Sequence, residues 1–271
     1  MQLFKKLGLM LVMLVMVAQA QQSVGDLAFQ RTRELFNAAS KGDPTAFAQL
    51  KALGNKGDAF AQSALGTMYA NGNGVPKDAT QAVSWYRKSA EQGNAKAQSN
   101  LGRMYNTGFG VPKDSAQAVS WFRKSANQGD AAGQCLLGEM YYFGSGVPKN
   151  SAQAAFWYRK SAEQGYALGQ FNLGAMYADG EGVPKDSVQA VFWYRKSANQ
   201  GNDDGQSNLG AMYARGDGVP KDLVIAYMWR NLAAAQGNEI AKGSIEAMEE
   251  LMTPAQIAEG QRLSREWKPK P

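Results

Sequence analysis

Leu65, Leu101, Leu137, Leu173 and Leu209 stand 36 residues apart, and so do Trp85, Trp121, Trp157, Trp193 and Trp229. Between each leucine and its tryptophan lies one copy of Gly-Val-Pro-Lys, so five units tile residues 58–238 without insertion or deletion. A constant period of this size places every copy in the same geometric slot, which is how stacked-repeat proteins are built.

Each unit reads as helix, loop, helix. In the second unit the first helix is expected over 94–106 and the second over 115–128. Asp78, Asp114, Asn150 and Asp186 each precede a glutamine by three residues (Gln81, Gln117, Gln153, Gln189). That spacing predicts a capping box: the first side chain accepts from an N3 amide and the glutamine reaches back. Gly93, Gly129, Gly165, Gly201 and Gly237 end the second helices, because glycine tolerates the left-handed conformation found there. The repeated Gly-Val-Pro-Lys-Asp could be taken for a phosphate-binding loop. No strand precedes any copy, however, and each residue has a role in a turn: Gly72 ends a helix, Pro76 holds Val75 extended, and Asp78 caps the next helix. The stretch reads as a joint.

The repeated unit A-x-x-L-G-x-M-Y-x-x-G-x-G-V-P-K-D-x-x-Q-A-x-x-W-Y-R-K-S-A-x-Q-G-N resembles the Sel1-like repeat family, relatives of the tetratricopeptide repeats. The resemblance implies an all-α, right-handed α/α superhelical solenoid of helix-turn-helix repeats with helical caps, acting as a protein-binding scaffold. First helices would line its concave wall. Exported bacterial members of the family imply envelope assembly, host contact, or immunity against secreted toxins. One cysteine-rich branch is similar to β-lactamases in activity, but its cysteine pairs are absent here, as are S-x-x-K, S-D-N and K-T-G.

Lys5 and Lys6, an apolar run over 7–18 and Ala18-Gln19-Ala20 have the layout of a cleavable secretory leader. The expected product, 21–271, is periplasmic or secreted. The 271-residue chain carries 29 basic and 23 acidic residues. Losing the two leader lysines leaves 27 against 23, a net +4 without a basic block, which gives no reason to expect nucleic acid. The absence of histidine excludes Ser-His-Asp and Cys-His catalysis and histidine-ligated zinc. The single Cys135 cannot form an internal disulfide. No cofactor or metal is expected. Residues 21–57 and 239–271 read as helical caps around the repeats, the latter with a capping box at Thr253, Pro254 and Gln256.

Comparing copies separates fixed positions from free ones. Gln62, Leu65, Gly66, Met68, Tyr69 and their equivalents recur in all five units. A recurring mid-helix glycine, about 1 kcal/mol worse than alanine, predicts close packing of a neighbour. Positions 60, 64, 67 and 71 and their equivalents vary and share the opposite face. That variation fits either a specific binding wall or positions under no constraint. The candidate protein-binding residues are Asn100, Arg103, Phe109, Glu139, Tyr142, Phe143, Asn172, Asp179 and Arg215, with Tyr142 and Phe143 as an aromatic hot spot near Arg103 and Glu139. Asn100, Asn172 and Asn208 could bond an extended peptide or serve the fold. The second helices carry Arg-Lys at 87–88, 123–124, 159–160 and 195–196, either a solvated face or a contact for anionic lipid headgroups or cell-wall polymers. Trp85, Trp121, Trp157 and Trp193 are expected in the core. The partner is thus expected to be another protein, with peripheral membrane contact as the alternative.

Overall fold

The computed structural model describes residue 27 and residues 29–269. The leader over 1–20 lies outside the described residues. The chain divides into two compact bodies between Lys113 and Asp114. The N-terminal body holds α1 (29–40), α2 (Pro44–Asn55), α3 (Ala59–Asn71), α4 (Ala79–Glu91) and α5 (Ala95–Thr107). The C-terminal body holds α6 (Ser115–Asn127), α7 (Ala131–Phe143), α8 (Ser151–Glu163), α9 (Ala167–Asp179), α10 (Ser187–Asn199), α11 (Asp203–Arg215), α12 (Leu223–Ala235), α13 (Glu239–Glu249) and α14 (Pro254–Glu266). No strand occurs among the described residues. Successive helices pack on one another from α2 to α5 and from α6 to α13, α14 returns to pack on α12, and the fold is an all-α solenoid of helix-turn-helix repeats.

The caps form where the side chains allow. Asp78 accepts from the Gln81 amide at 2.9 Å, and Asp114, Asn150, Asp186 and Asp222 do the same one repeat apart. The expected return bond from the glutamine is not part of these caps. Asp222 caps α12 equally well with Ile225 in the glutamine's place. A full capping box is present at Thr253 and Gln256. Gly72 takes the left-handed conformation at the end of α3, with φ of 79°.

Repeated polar bonds stitch the pairs. Ser161 Oγ donates to the Ala131 carbonyl at 2.7 Å, and Gln164 Nε2 donates to Gln134 Oε1 at 2.7 Å. Gln134 Nε2 in turn donates to the Ala126 carbonyl of the preceding second helix at 3.3 Å. The loop glycine of the Gly-Val-Pro-Lys joint binds repeats together as well. A Cβ on Gly146 would fall 2.3 Å from the Ser115 carbonyl oxygen, and its φ is +71°. The joint therefore seats directly on the start of the previous second helix, which only glycine permits.

Leu50, Leu65, Met68 and Trp85 centre the core of the N-terminal body. Leu209, Tyr194, Met212 and Trp229 form one core of the C-terminal body, and Trp193 joins Leu173 and Met176 in another. Trp121 and Trp157 depart from expectation and are only half-buried. The Lys124 ammonium lies 4.0 Å from the Trp121 ring centre, and Phe156 meets Trp157 edge-on.

Candidate functional site

In the first, third and fourth units the mid-helix glycine of the first helix accommodates an aromatic ring from the second helix of the same repeat, while Gly210 of the fifth meets the Arg230 side chain instead. A Cβ on Gly138 would come within 2.8 Å of Tyr158, and Gly66 and Gly174 stand in the same relation to Tyr86 and Tyr194. The ring passes beneath the first helix and emerges on its variable face. Tyr86 Oη and Thr67 Oγ1 lie 3.0 Å apart there. Burial first, then Cys135, Glu139 and Tyr142, push the Tyr158 hydroxyl above the ordinary phenol range.

In the C-terminal body this ring floors a cleft of about 400 Å³ between α7 and α9. Five of the nine candidate residues line it: Glu139, Tyr142 and Phe143 from α7, and Asn172 and Asp179 from α9. Around the repeat-typical Tyr158 and Met176, much of the remaining wall comprises residues that break the repeat. Position 63 and its equivalents are Ser63, Ser99 and Ser207 elsewhere but Cys135 and Phe171 here. Leu136 replaces the alanine or asparagine found in the other copies. Asp58, Asn94, Asp130 and Asn202 cap their first helices with a side-chain bond. Tyr166 occupies that place before α9, makes no cap bond to the helix, and lines the cleft. Losing such a cap costs about 1 kcal/mol. Leu168, 44% exposed, completes the rim. Sequence comparison confined to the exposed positions of the first helices missed Tyr166 and Phe171. Asking which copies break an otherwise constant position finds both.

Tyr142 and Phe143 meet edge-to-face at 4.9 Å, and Phe143 is 66% exposed. Lys149 Nζ lies 3.1 Å from Glu181 Oε1 and 5.4 Å from the Tyr142 ring centre, while Ser151 Oγ donates to the same Glu181 oxygen at 2.9 Å. The Lys149 bond, followed by that from Ser151, holds the Glu181 carboxyl below the ordinary carboxylate range. Asn172 Nδ2 points at Cys135 Sγ, 3.5 Å away, and so turns into the helix pair. Burial pushes the Cys135 thiol up to about 12.

The other candidates lie elsewhere. Asn100, Arg103 and Phe109 line a separate cleft of about 530 Å³ in the N-terminal body, with Lys77, whose ammonium lies 5.0 Å from the Phe109 ring centre. Arg103 and Phe109 thus line a cleft of the N-terminal body, and Tyr142 and Phe143 line one of the C-terminal body. Arg215 pairs with Asp217 in its own loop and lines neither cleft. Ala211, expected on the exposed wall, is buried.

The arginines of the basic ladder are ties. Arg87, Arg123, Arg159 and Arg195 donate to the hydroxyls of Tyr105, Tyr141, Tyr177 and Tyr213, at 2.8, 3.3, 2.8 and 2.7 Å. Lys88, Lys124, Lys160 and Lys196 each lie over an aromatic ring of their own helix. Among the described residues no helix is long and apolar enough to cross a membrane.

The Sel1 repeat family model matches five times, at residues 59–94, 95–130, 131–166, 167–202 and 203–238. The crystal structure of a Sel1 repeat protein from Oxalobacter formigenes is 32% identical, with a TM-score of 0.74 over 90% of this chain and 98% of that one. A protective antigen present in uropathogenic Escherichia coli strains, displaying an SLR fold, is also 32% identical, with a TM-score of 0.56 over 87% of this chain and 60% of that one. No curated protein matches the chain. Contiguous repeats over 59–238, the ring-on-glycine packing that recurs in them and a relative similar along nearly its whole length lead to one assignment: the chain belongs to the Sel1 repeat family.

Proposed function

We propose that this protein is an exported, non-catalytic scaffold that binds a partner protein through the α7/α9 cleft. A Sel1 repeat array is suited to protein–protein interaction. The convergence of Cys135, Leu136, Tyr142, Phe143, Tyr166 and Phe171 on one cleft carries the reading. Drift at unconstrained positions would scatter along the array, whereas these six departures share one wall, and one of them dispenses with a helix cap. Rigid aromatic area around a pocket is the composition of a binding hot spot. In its narrowest form the protein is an immunity protein that captures a toxic effector delivered to the periplasm. That form draws its support from the leader-like residues 1–20 and from the habits of exported family members.

The test is capture from a native envelope extract on immobilised 21–271, beside Y142A/F143A and a K88A/K124A control. One dominant protein retained by the parent and the control but lost on Y142A/F143A is the expected result. Equal retention on Y142A/F143A overturns the site. Export of the scaffold with the captured protein then tests immunity: protection of cells is expected, and undiminished toxicity removes that form.

A further inference from the structure

We infer that the side chain received by the α7/α9 cleft is a lysine or arginine of the partner. This rests on the reading above and names the chemistry of what binds. The cleft has aromatic walls at Tyr142, Phe143, Tyr166 and Phe171, and Glu139, Asp179 and Glu181 are its charged lining residues. No lysine or arginine lines it, although the chain as a whole carries an excess of basic residues.

Aromatic faces carry negative potential and attract cations, more strongly once water is excluded. The protein already shows this wall holding one. The Lys149 ammonium is shared between the Glu181 carboxylate and the Tyr142 face at the rim. A partner's lysine or arginine would repeat that arrangement further in, its methylene stem against Phe143, Leu168 and Phe171 and its charged head toward Asp179. An acidic side chain would face the Asp179 carboxylate with no lysine or arginine in the lining to offset it. A purely aliphatic one would strip water from Asp179 and return nothing to it. The volume of about 400 Å³ holds one side chain and excludes a whole helix. The Asn100/Arg103 cleft of the N-terminal body has the opposite sign, with Lys77 and Arg103 and no carboxylate in its lining.

The experiment titrates the protein with the Nα-acetyl methylamides of lysine, arginine, norleucine and glutamate. The readout is the 13C-methyl signal of Met176, a cleft residue assigned through M176L. Saturable shifts with the lysine and arginine probes are expected, weakened about fivefold in D179N and by added salt. Norleucine binding as well as lysine, glutamate binding best, or no Met176 shift with either cationic probe overturns the inference. Failure here with partner capture still dependent on Tyr142 and Phe143 removes the cation and leaves the cleft. Success here with capture indifferent to those residues removes the cleft as the partner site.

Discussion

Arg159 donates from Nη2 to the Tyr177 hydroxyl at 2.8 Å, reaching from the second helix of one repeat to the first helix of the next. The same bond recurs at three further rungs. A row of guanidinium groups that reads as a charged face is therefore part of the joint between repeats. A double-mutant cycle on R159M and Y177F is expected to give a coupling of about 1 kcal/mol in urea unfolding. Additive single-mutant effects would show the bond to be incidental.

Three glycines separate three kinds of constraint. At Gly138 a methyl group gains about 1 kcal/mol of helix propensity but crowds Tyr158, so G138A is expected to destabilise by about 1 kcal/mol net. At Gly146 the methyl meets a backbone carbonyl that cannot turn aside, and the left-handed φ adds strain, so G146A should cost about 3 kcal/mol. Gly243 lies inside α13 with nothing within 4 Å, and G243A should stabilise by about 0.5–1 kcal/mol. Urea midpoints that failed to follow the order G243A, parent, G138A, G146A would contradict the packing described.

The Glu181 ion pair gives a signed pH dependence. Its carboxyl is depressed below the ordinary 4.5, so its contribution is complete above that value and is lost as pH falls through the depressed one. E181Q should therefore melt below the parent at pH 7, by no more than about 1 kcal/mol for so exposed a pair, and the gap should close as pH falls progressively below 4.5. Asp204 behaves in the opposite sense. Burial, then Asp203, raises its carboxyl above 3.8, so its contribution is full below that pH and declines as pH rises through the raised value. D204N is expected to gain on the parent between pH 3 and pH 7, read as the difference in Tm across that range.

Cys135 should be inert while the protein is folded. Raising the thiol from 9.0 to about 12 leaves about a thousandfold less thiolate at a given pH below both values, and burial restricts access further. Labelling with a chromogenic disulfide should wait on unfolding, and rapid labelling of native protein would show the α7/α9 pair opening. C135S, which restores the serine of three other copies, should change stability by less than about 1 kcal/mol.

The repeat made the helices legible, since a capping residue, a glycine stop and a proline turn recur at each boundary and act over a few residues. Longer-range relations were not open to the same reading. The phenol partner of Arg159 stands eighteen residues on, on the next helix and across a turn, so the periodicity of either helix alone does not connect them and the arginine could be read only as charge. The same locality misled at the caps: the aspartate at 78 acts alone, and the glutamine at 81 is an exposed residue of the first turn. Tyr142 and Phe143 stood out because adjacent aromatics interrupt a small polar pattern. Tyr166 and Phe171 escaped because one lies in a turn and the other on a half-buried flank, and both meet the first pair only once α7 and α9 are side by side. Arg103 appeared to belong with them because repeats align residues in sequence, and alignment does not decide which side chains line the same hollow.

The bonds at the joints have one more implication. Ser161 reaches back thirty residues, Arg159 reaches forward eighteen, and Gly146 seats against a carbonyl thirty-one residues earlier. Each distance is shorter than one period, so no tie needs to know how many copies precede or follow it. Gene duplication or loss in steps of one repeat can lengthen or shorten such an array while every remaining joint finds its usual neighbour. A residue such as Tyr166, specific to one copy, is then free to change the occupant of one hollow without disturbing the rule by which the next is built.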